Sequence, residues 1–295
     1  MHVDKSKDLA ILNVEDFSLK LNSIFSPDKF SKLSINPLQN DLLNFRATIY
    51  KLKPFLSFSD YKLTEPLESI KKGFGILKIK KPGMPLRPII SSLYSITSGA
   101  EMYILKIIRP LLKKCEFSIL STKTFTQKFM EIAPQFTKFY EVICIDAVSL
   151  FTSINVPRVV DYIIDIIYED PEKYHSENNL GSFAPKNISK KFLLDVLLEY
   201  NSFETLNGYY RQRQDLSMGG KLSPALSNIF LHMLESVIIK KSLDQRILLF
   251  YVRYVDDGFL IVRKRQKNFI LSEMNDFDPF LSFTIEKMSN NSLKY

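Results

Sequence analysis

Cysteine is scarce in this sequence: its 295 residues include Cys115 and Cys144 and three histidines, with no CxxC spacing and no histidine cluster. That scarcity argues against a zinc site or a disulfide framework and places the protein inside the cell. No apolar run approaches the roughly eighteen residues needed to span a bilayer. The opening "MHVDKSKDLAILNVEDF" lacks the basic start and apolar core of a secretory leader, so no membrane partner is expected. Internal repeats, low-complexity tracts and long Gly/Ser linkers are also missing, so the lobes are expected to share a continuous core. Acidic residues are outnumbered: Lys and Arg total 40 against 32 Asp and Glu, a net charge of +8 and a pI near 9.2. A basic surplus favours a polyanionic partner through phosphate contact and counterion release.

The length suits one large domain or two smaller ones. From Leu9 to about Tyr61 the pattern is mostly helical, broken at "SPDKF", "NPLQN" and "KPF" by prolines. "KKGFGILKIKKPGMPLRPIISS" (71–92) alternates apolar and basic residues around Pro-Gly, which predicts a basic β-hairpin. A helix is expected over Gly99 to Lys114, a short one near Phe125, and a strand over Val142 to Asp146. Further helices follow at Pro157 to Tyr168 and Ser189 to Tyr200, around a segment (169–187) too long and polar to be core. Asn207-Gly208 between aromatic, alternating runs predicts a type I′ hairpin turn, whose two central residues need positive φ. Ser223-Pro224 opens a long helix to about Lys241, with Ser223 as N-cap. A strand pair around Asp256, a helix over Gln266 to Met274 and the strand "FLSFTIEKM" complete an α+β chain containing a split β-α-β unit.

The chemistry-bearing feature is "FYVRYVDDGFLIV" (250–262), an apolar strand–turn–strand with Asp256 and Asp257 at its bend. Adjacent ionised carboxylates amid apolar residues need compensation, and a divalent cation supplies it. "EVICIDAVSLFTSI" (141–154) ends another apolar strand on the lone acid Asp146. Together these segments offer the carboxylates of a two-metal phosphoryl-transfer site, in which the ions sit roughly 3.5–4 Å apart. Asp146 and Asp256 are the expected bridging ligands, with Asp257 as a supporting acid. Two Mg2+ ions suit all-oxygen ligands, and Mn2+ is an alternative. Each piece alone has a plainer explanation: Asp-Asp as an ordinary turn, Asp146 as a cap, the basic hairpin as a solvated face.

Taken in order, these segments resemble the reverse transcriptases of Penelope-like retroelements, relatives of telomerase. "FGILKIKKPGMPLRPIISS" is similar to the family's fingers segment, "DAVSLFTSI" to motif A, "MGGKLSPALSNIF" to motif B and "RYVDDGFLIV" to motif C. The likeness runs from about Phe74 to the C-terminus, more weakly upstream through "FSLKLNSIFSPDKFSKL".

The resemblance implies a right-hand polymerase: an N-terminal helical segment (1–70), fingers (71–140), and a palm (141–295) with a fingers insertion at about 169–200 and no thumb. The palm would be a split β-α-β antiparallel sheet backed by helices. The activity it implies is RNA-directed DNA synthesis, with dNTPs added to a DNA primer on an RNA template in the nucleus. Asp146, Asp256 and Asp257 become the metal-binding acids, and Lys80, Lys81 and Arg87 the contacts to the triphosphate. Arg87 leads these, because a guanidinium engages phosphate bidentately. Phe151, five residues after Asp146, would be the aromatic gate that excludes a 2′-hydroxyl; a core role is its plainer alternative. An RNA-copying RNA polymerase is disfavoured by that ring and by Tyr254-Val255 before the acids. Gly219 and the Ser223-Pro224 helix start would approach the nascent base pair, and Asn228 would face the nucleotide or support its site. Lys287 falls where polymerases often carry a general acid.

Several positions depart from the family pattern. Gly220-Lys221 replaces a small hydroxyl residue and Pro, Asp215 a usual Gly, and Gly258 a frequent Thr. The chain also stops where a primer-gripping hairpin and thumb would follow, and no GIY-YIG endonuclease pattern occurs. An inactive nucleic-acid-binding remnant of such an element is therefore the competing expectation.

Overall fold

The computed structural model describes residues 4, 10–27, 29–79, 81–212 and 214–286. The first half runs α1 (Val14–Ile24), β1 (Phe30–Leu33), α2 (Leu38–Leu52), α3 (Phe58–Thr64), β2 (Lys71–Leu77), β3 (Leu86–Ser91), α4 (Ser98–Leu112) and α5 (Thr122–Ile132). There follow β4 (Tyr140–Ala147), α6 (Val156–Glu169), α7 (Pro171–Glu177), α8 (Lys186–Leu194), β5 (Ser202–Thr205) and β6 (Gly208–Gln212). The chain continues with α9 (Ser223–Leu234), α10 (Lys240–Asp244), β7 (Leu248–Tyr254), β8 (Asp257–Arg263), α11 (Lys267–Asn275) and β9 (Phe283–Ile285). Helices with one mixed and one antiparallel sheet make the chain α+β, as expected. Among the described residues, no helix is long and apolar enough to cross a membrane.

Helix starts follow local chemistry. Asn13 Oδ1 accepts from the Glu15 amide at 2.9 Å, Ser57 Oγ from Asp60 at 3.1 Å, and Asn155 Oδ1 from Arg158 at 3.2 Å, each satisfying an orphan N–H of a first turn. Behind its Asn155 cap, α6 buries Val156, Val159, Val160, Ile163, Ile164 and Ile167, the 3–4 spacing that places apolar side chains on one stripe.

The chain folds into two compact units. The first comprises Met1–Ile108 and Asn155–Pro224. Its five-stranded sheet has the order β1-β6-β5-β2-β3, with β2 parallel to β5 and the other neighbours antiparallel. Phe25, Phe30, Phe203 and Tyr210 fill its core, with Phe203 centred 5.1 Å from Phe25 and 5.5 Å from Phe30. Strand β1 lies in a stretch expected to be helical; it exists because Phe30–Leu33 pairs with the distant β6. The Asn-Gly hairpin is present, but Thr205 pairs with Gly208, so Leu206 and Asn207 are its central residues. Only Gly208 of the Asn-Gly pair has positive φ (118°), while Thr205 Oγ1 accepts from the Asn207 amide at 3.0 Å. The polar segment 169–187 is not the surface loop expected. It forms α7 and buries His175, whose ring nitrogen bonds the Gly181 carbonyl at 2.8 Å.

The second unit comprises Arg109–Ile154 and Ala225–Tyr295. Its four-stranded sheet, order β7-β8-β4-β9, is antiparallel throughout. On one face Phe125, Phe129 and Ile132 of α5 pack against Phe250, Val252, Phe259 and Ile261. The rings of Phe125 and Phe259 meet edge-on at 5.1 Å. The helix opening at Ser223 runs unbroken past Lys241, as expected, but after Leu234 it widens into a π turn, Glu235–Ile239, before α10. A second π turn, Asp195–Glu199, ends α8.

Candidate active site

The acids singled out in the sequence occupy one end of the second unit's sheet. Asp146, next to last in β4, is the register partner of Asp257, the first residue of β8. Directly opposed residues of antiparallel strands have Cα atoms about 4.5–5.5 Å apart and side chains on one face. On its other side Asp146 pairs with Thr284 of β9. Tyr254 pairs with Asp257, which leaves Val255 and Asp256 as the central residues of a two-residue turn. The Ala147 amide donates to the Asp256 carbonyl at 3.2 Å, tying that turn to β4.

Val255 carries φ of 57°. A β-branched residue in the left-handed region costs on the order of 1–3 kcal/mol and persists only where its surroundings impose it. Asp146 and Asp256 are half-buried and Asp257 is exposed. Their backbones lie within side-chain reach of one another, yet among the described residues no three His, Cys, Asp or Glu side chains are gathered closely enough to hold a metal ion. At about 5 Å and an effective dielectric near 20, two carboxylates repel by roughly 3 kcal/mol, which favours spreading them. The donor set is all carboxylate oxygen, the type that suits magnesium or manganese.

Beneath the turn lies a cluster that the sequence reading missed. The Arg253 side chain is 2% exposed and that of Glu235 is 0% exposed. Arg253 Nε donates to Glu235 Oε1 at 2.6 Å, Nη2 to Asn228 Oδ1 at 2.8 Å, and Nη1 to the Val255 carbonyl at 2.8 Å. Tyr251 donates its phenolic proton to Glu235 Oε1 at 3.2 Å. Burial pushes the Glu235 carboxyl above its ordinary range against the pull of the guanidinium, and pushes the Tyr251 phenol well above its own. The available signal was a lone charge in each of two apolar runs, "FYVRYV" and "FLHMLESVII". Asn228, expected to face or support the nucleotide site, is here an acceptor for Arg253. Phe151 is half-buried in the 3₁₀ turn Leu150–Ser153, which follows Ser149 at φ 51°.

The remaining expected contacts belong to the first unit. Lys81 is exposed in the turn between β2 and β3, and Lys80 lies outside the described residues, as does Lys287. On β3, Arg87 Nη2 contacts Asp4 Oδ2 at 3.1 Å, while its buried Nε has no acceptor among the described residues. Gly219 has φ of 103°, and a Cβ there would lie 3.0 Å from both Ile89 Cγ2 and the Ile90 carbonyl oxygen. Its missing side chain thus lets the loop press against β3, whose Ile90 amide donates to the Met218 carbonyl at 2.7 Å. The Ser223 hydroxyl donates to the Ser217 carbonyl at 2.6 Å. The unusual Lys221 is built in: its amide donates to Glu101 Oε2 at 3.1 Å, and Glu101 pairs with buried Lys71 at 3.3 Å.

No family model matches the sequence, and no curated protein matches it. Solved structures do. Apo telomerase from Candida tropicalis, truncated from its C-terminal domain, superposes with a TM-score of 0.59 at 12% identity over 94% of this chain and 56% of that one. The chain shares its fold with about half of that telomerase chain. Telomerase from Candida albicans in complex with a TWJ fragment of telomeric RNA gives a TM-score of 0.52 at 13% identity, covering 90% of this chain and 49% of the telomerase. The corresponding Candida tropicalis complex gives 0.53 at 14%, covering 77% and 42%. The chain therefore spans about half the length of the telomerase chains it matches.

Proposed function

We propose that this chain is the core of an RNA-directed DNA polymerase of the Penelope-like, telomerase-related kind, with palm and fingers. The carrying observation is the register of Asp146 against Asp257, beside the strained Val255-Asp256 turn, in a chain that shares its fold with part of telomerase. Asp146 and Asp256 would hold two Mg2+ ions, or Mn2+, and Asp257 would support them. The ions, when bound, lower the pKa of the primer 3′-hydroxyl and stabilise the leaving oxygen of the triphosphate. The chain's own groups position the reactants. Arg87 and Lys81 contact the triphosphate, Gly219 and Ser223 shape the loop that opens α9, and Phe151 closes the space a 2′-hydroxyl would need. A basic chain whose fold is shared with an RNA-bound telomerase fits an RNA template and a DNA primer as partners, and nuclear residence with them.

Primer extension on an RNA template tests this. Asp256→Asn removes a ligand charge at constant size, and extension by that variant is expected to vanish while its thermal melt stays near wild type. Extension at the wild-type rate would remove the assignment. A second reading, a nucleic-acid-binding protein without turnover, draws on the basic surplus of the chain. It expects affinity that falls steeply with salt and no extended product from the wild-type chain.

A further inference from the structure

The cluster beneath the turn has no part in the chemistry proposed above, and its geometry is not that of an isolated ion pair. One guanidinium reaches three acceptors at once: a carboxylate, a side-chain amide and the backbone carbonyl of the strained residue. Arg253 is itself fixed, since its amide donates to the Phe117 carbonyl and its carbonyl accepts from the Ile119 amide, both at 2.8 Å. The helix widens into its π turn at Glu235, the residue whose carboxylate meets Arg253. Such local departures from α geometry are often found at functional sites.

We infer that Arg253 is a positioning residue: clamped by Glu235 and Asn228, it holds the Val255 carbonyl and so keeps the turn bearing Asp256 and Asp257 in its strained shape. This rests on the polymerase reading for its purpose, though not for its physics. A left-handed Val relaxes unless something holds it. A planar five-donor fork can serve all three acceptors together, whereas a lysine ammonium is a compact point donor. The chain thereby links the helix after the Gly-rich loop to the acids through a single buried side chain.

The experiment uses the full chain as wild type, as Asn228→Ala, as Arg253→Lys, and as the double variant Arg253→Met with Glu235→Leu. The double variant leaves no buried charge alone, the condition under which such a pair is replaced without loss of fold. Two readouts are taken on variants that melt cooperatively: hydrogen exchange of the 254–258 amides without metal, and Mn2+ titration followed by electron paramagnetic resonance. Losing a hydrogen bond to a charged group should speed exchange at the turn by about tenfold or more, with the amides of 248–252 unchanged. Mn2+ affinity should fall by a similar factor. Turn exchange at the wild-type rate in any folded variant that lacks the fork would overturn the inference, as would Mn2+ affinity that is unmoved by a loosened turn. If the double variant does not fold, Arg253→Lys decides on the same criteria, while Asn228→Ala, which keeps the fork and removes one of its anchors, is expected to speed turn exchange by a smaller factor. Should the turn loosen while the wild-type chain takes up no Mn2+, the clamp on the turn stands and the polymerase reading falls.

Discussion

Gly258 follows the paired acids, and an added Cβ there would sit 2.7 Å from Ile145 Cγ1, on the strand that carries Asp146. Its absent side chain thus admits Ile145 beside the turn, which explains why this position is not threonine. Gly258→Ala is expected to cost about 1–3 kcal/mol in urea unfolding, as overpacking does, and the same change made in an Ile145→Ala background should cost less. Cys144 lies on the same strand. Burial, then Glu286 and Asp257, push its thiol up to about 11, and burial pushes Cys115 to about 11 as well. A group whose folded pKa is raised contributes stability present below its unfolded value and lost as pH rises toward the folded one. The thiols' contribution should therefore be intact below about pH 9 and gone by about pH 11, readable in urea midpoints across that window. At pH 8 both thiols should resist iodoacetamide in the folded chain and react in urea. Rapid alkylation of the folded protein would contradict their burial. Asp146, Asp256 and Asp257 were legible because they interrupt apolar runs. Arg253 and Glu235 interrupt apolar runs too, but nothing local shows that two such charges, one on a strand and one on a helix, will pair.

Strand and helix segments divide along the same line. The basic hairpin, α6 and the strand pair around Asp256 were readable because period, cap and turn residues lie within one short window. Strand β1 was not, since Phe30–Leu33 becomes a strand only when Leu33 meets Tyr209 and Phe30 meets Gln212. Nor were the π turns at Asp195–Glu199 and Glu235–Ile239, which interrupt sequences of ordinary helical pattern. In the first unit β5 is pinned by Phe203, which is fully buried, and Gly73 of β2 leaves room for its ring: a Cβ on Gly73 would lie 2.5 Å from Phe203 Cδ2. Phe203→Ala is expected to lower stability by about 3–5 kcal/mol, the usual cost of emptying a buried aromatic site. Chemical denaturation measures it, and a loss below about 1 kcal/mol would mean that the sheet core collapses around the gap.

For the molecule as a whole, the test that separates the polymerase reading from its competitors is the choice of sugar. Phe151→Val shortens the ring proposed to exclude a 2′-hydroxyl, so ribonucleotide use relative to deoxynucleotide use should rise, by tenfold or more if the clash is worth about 1.4 kcal/mol. Unchanged discrimination in a competition assay would return Phe151 to a packing role.

The sequence alone determined which acids exist, their order, and the turn and strand end that carry them, because charge placement, turn propensity and periodicity act over a few residues. Tertiary structure decided that Asp146 stands opposite Asp257, that Arg253 is clamped by Glu235 and Asn228, and that Phe30–Leu33 becomes an edge strand. Each of these depends on a partner far along the chain, and pairing energies of that kind exist only once the intervening segments have folded and brought the partners together.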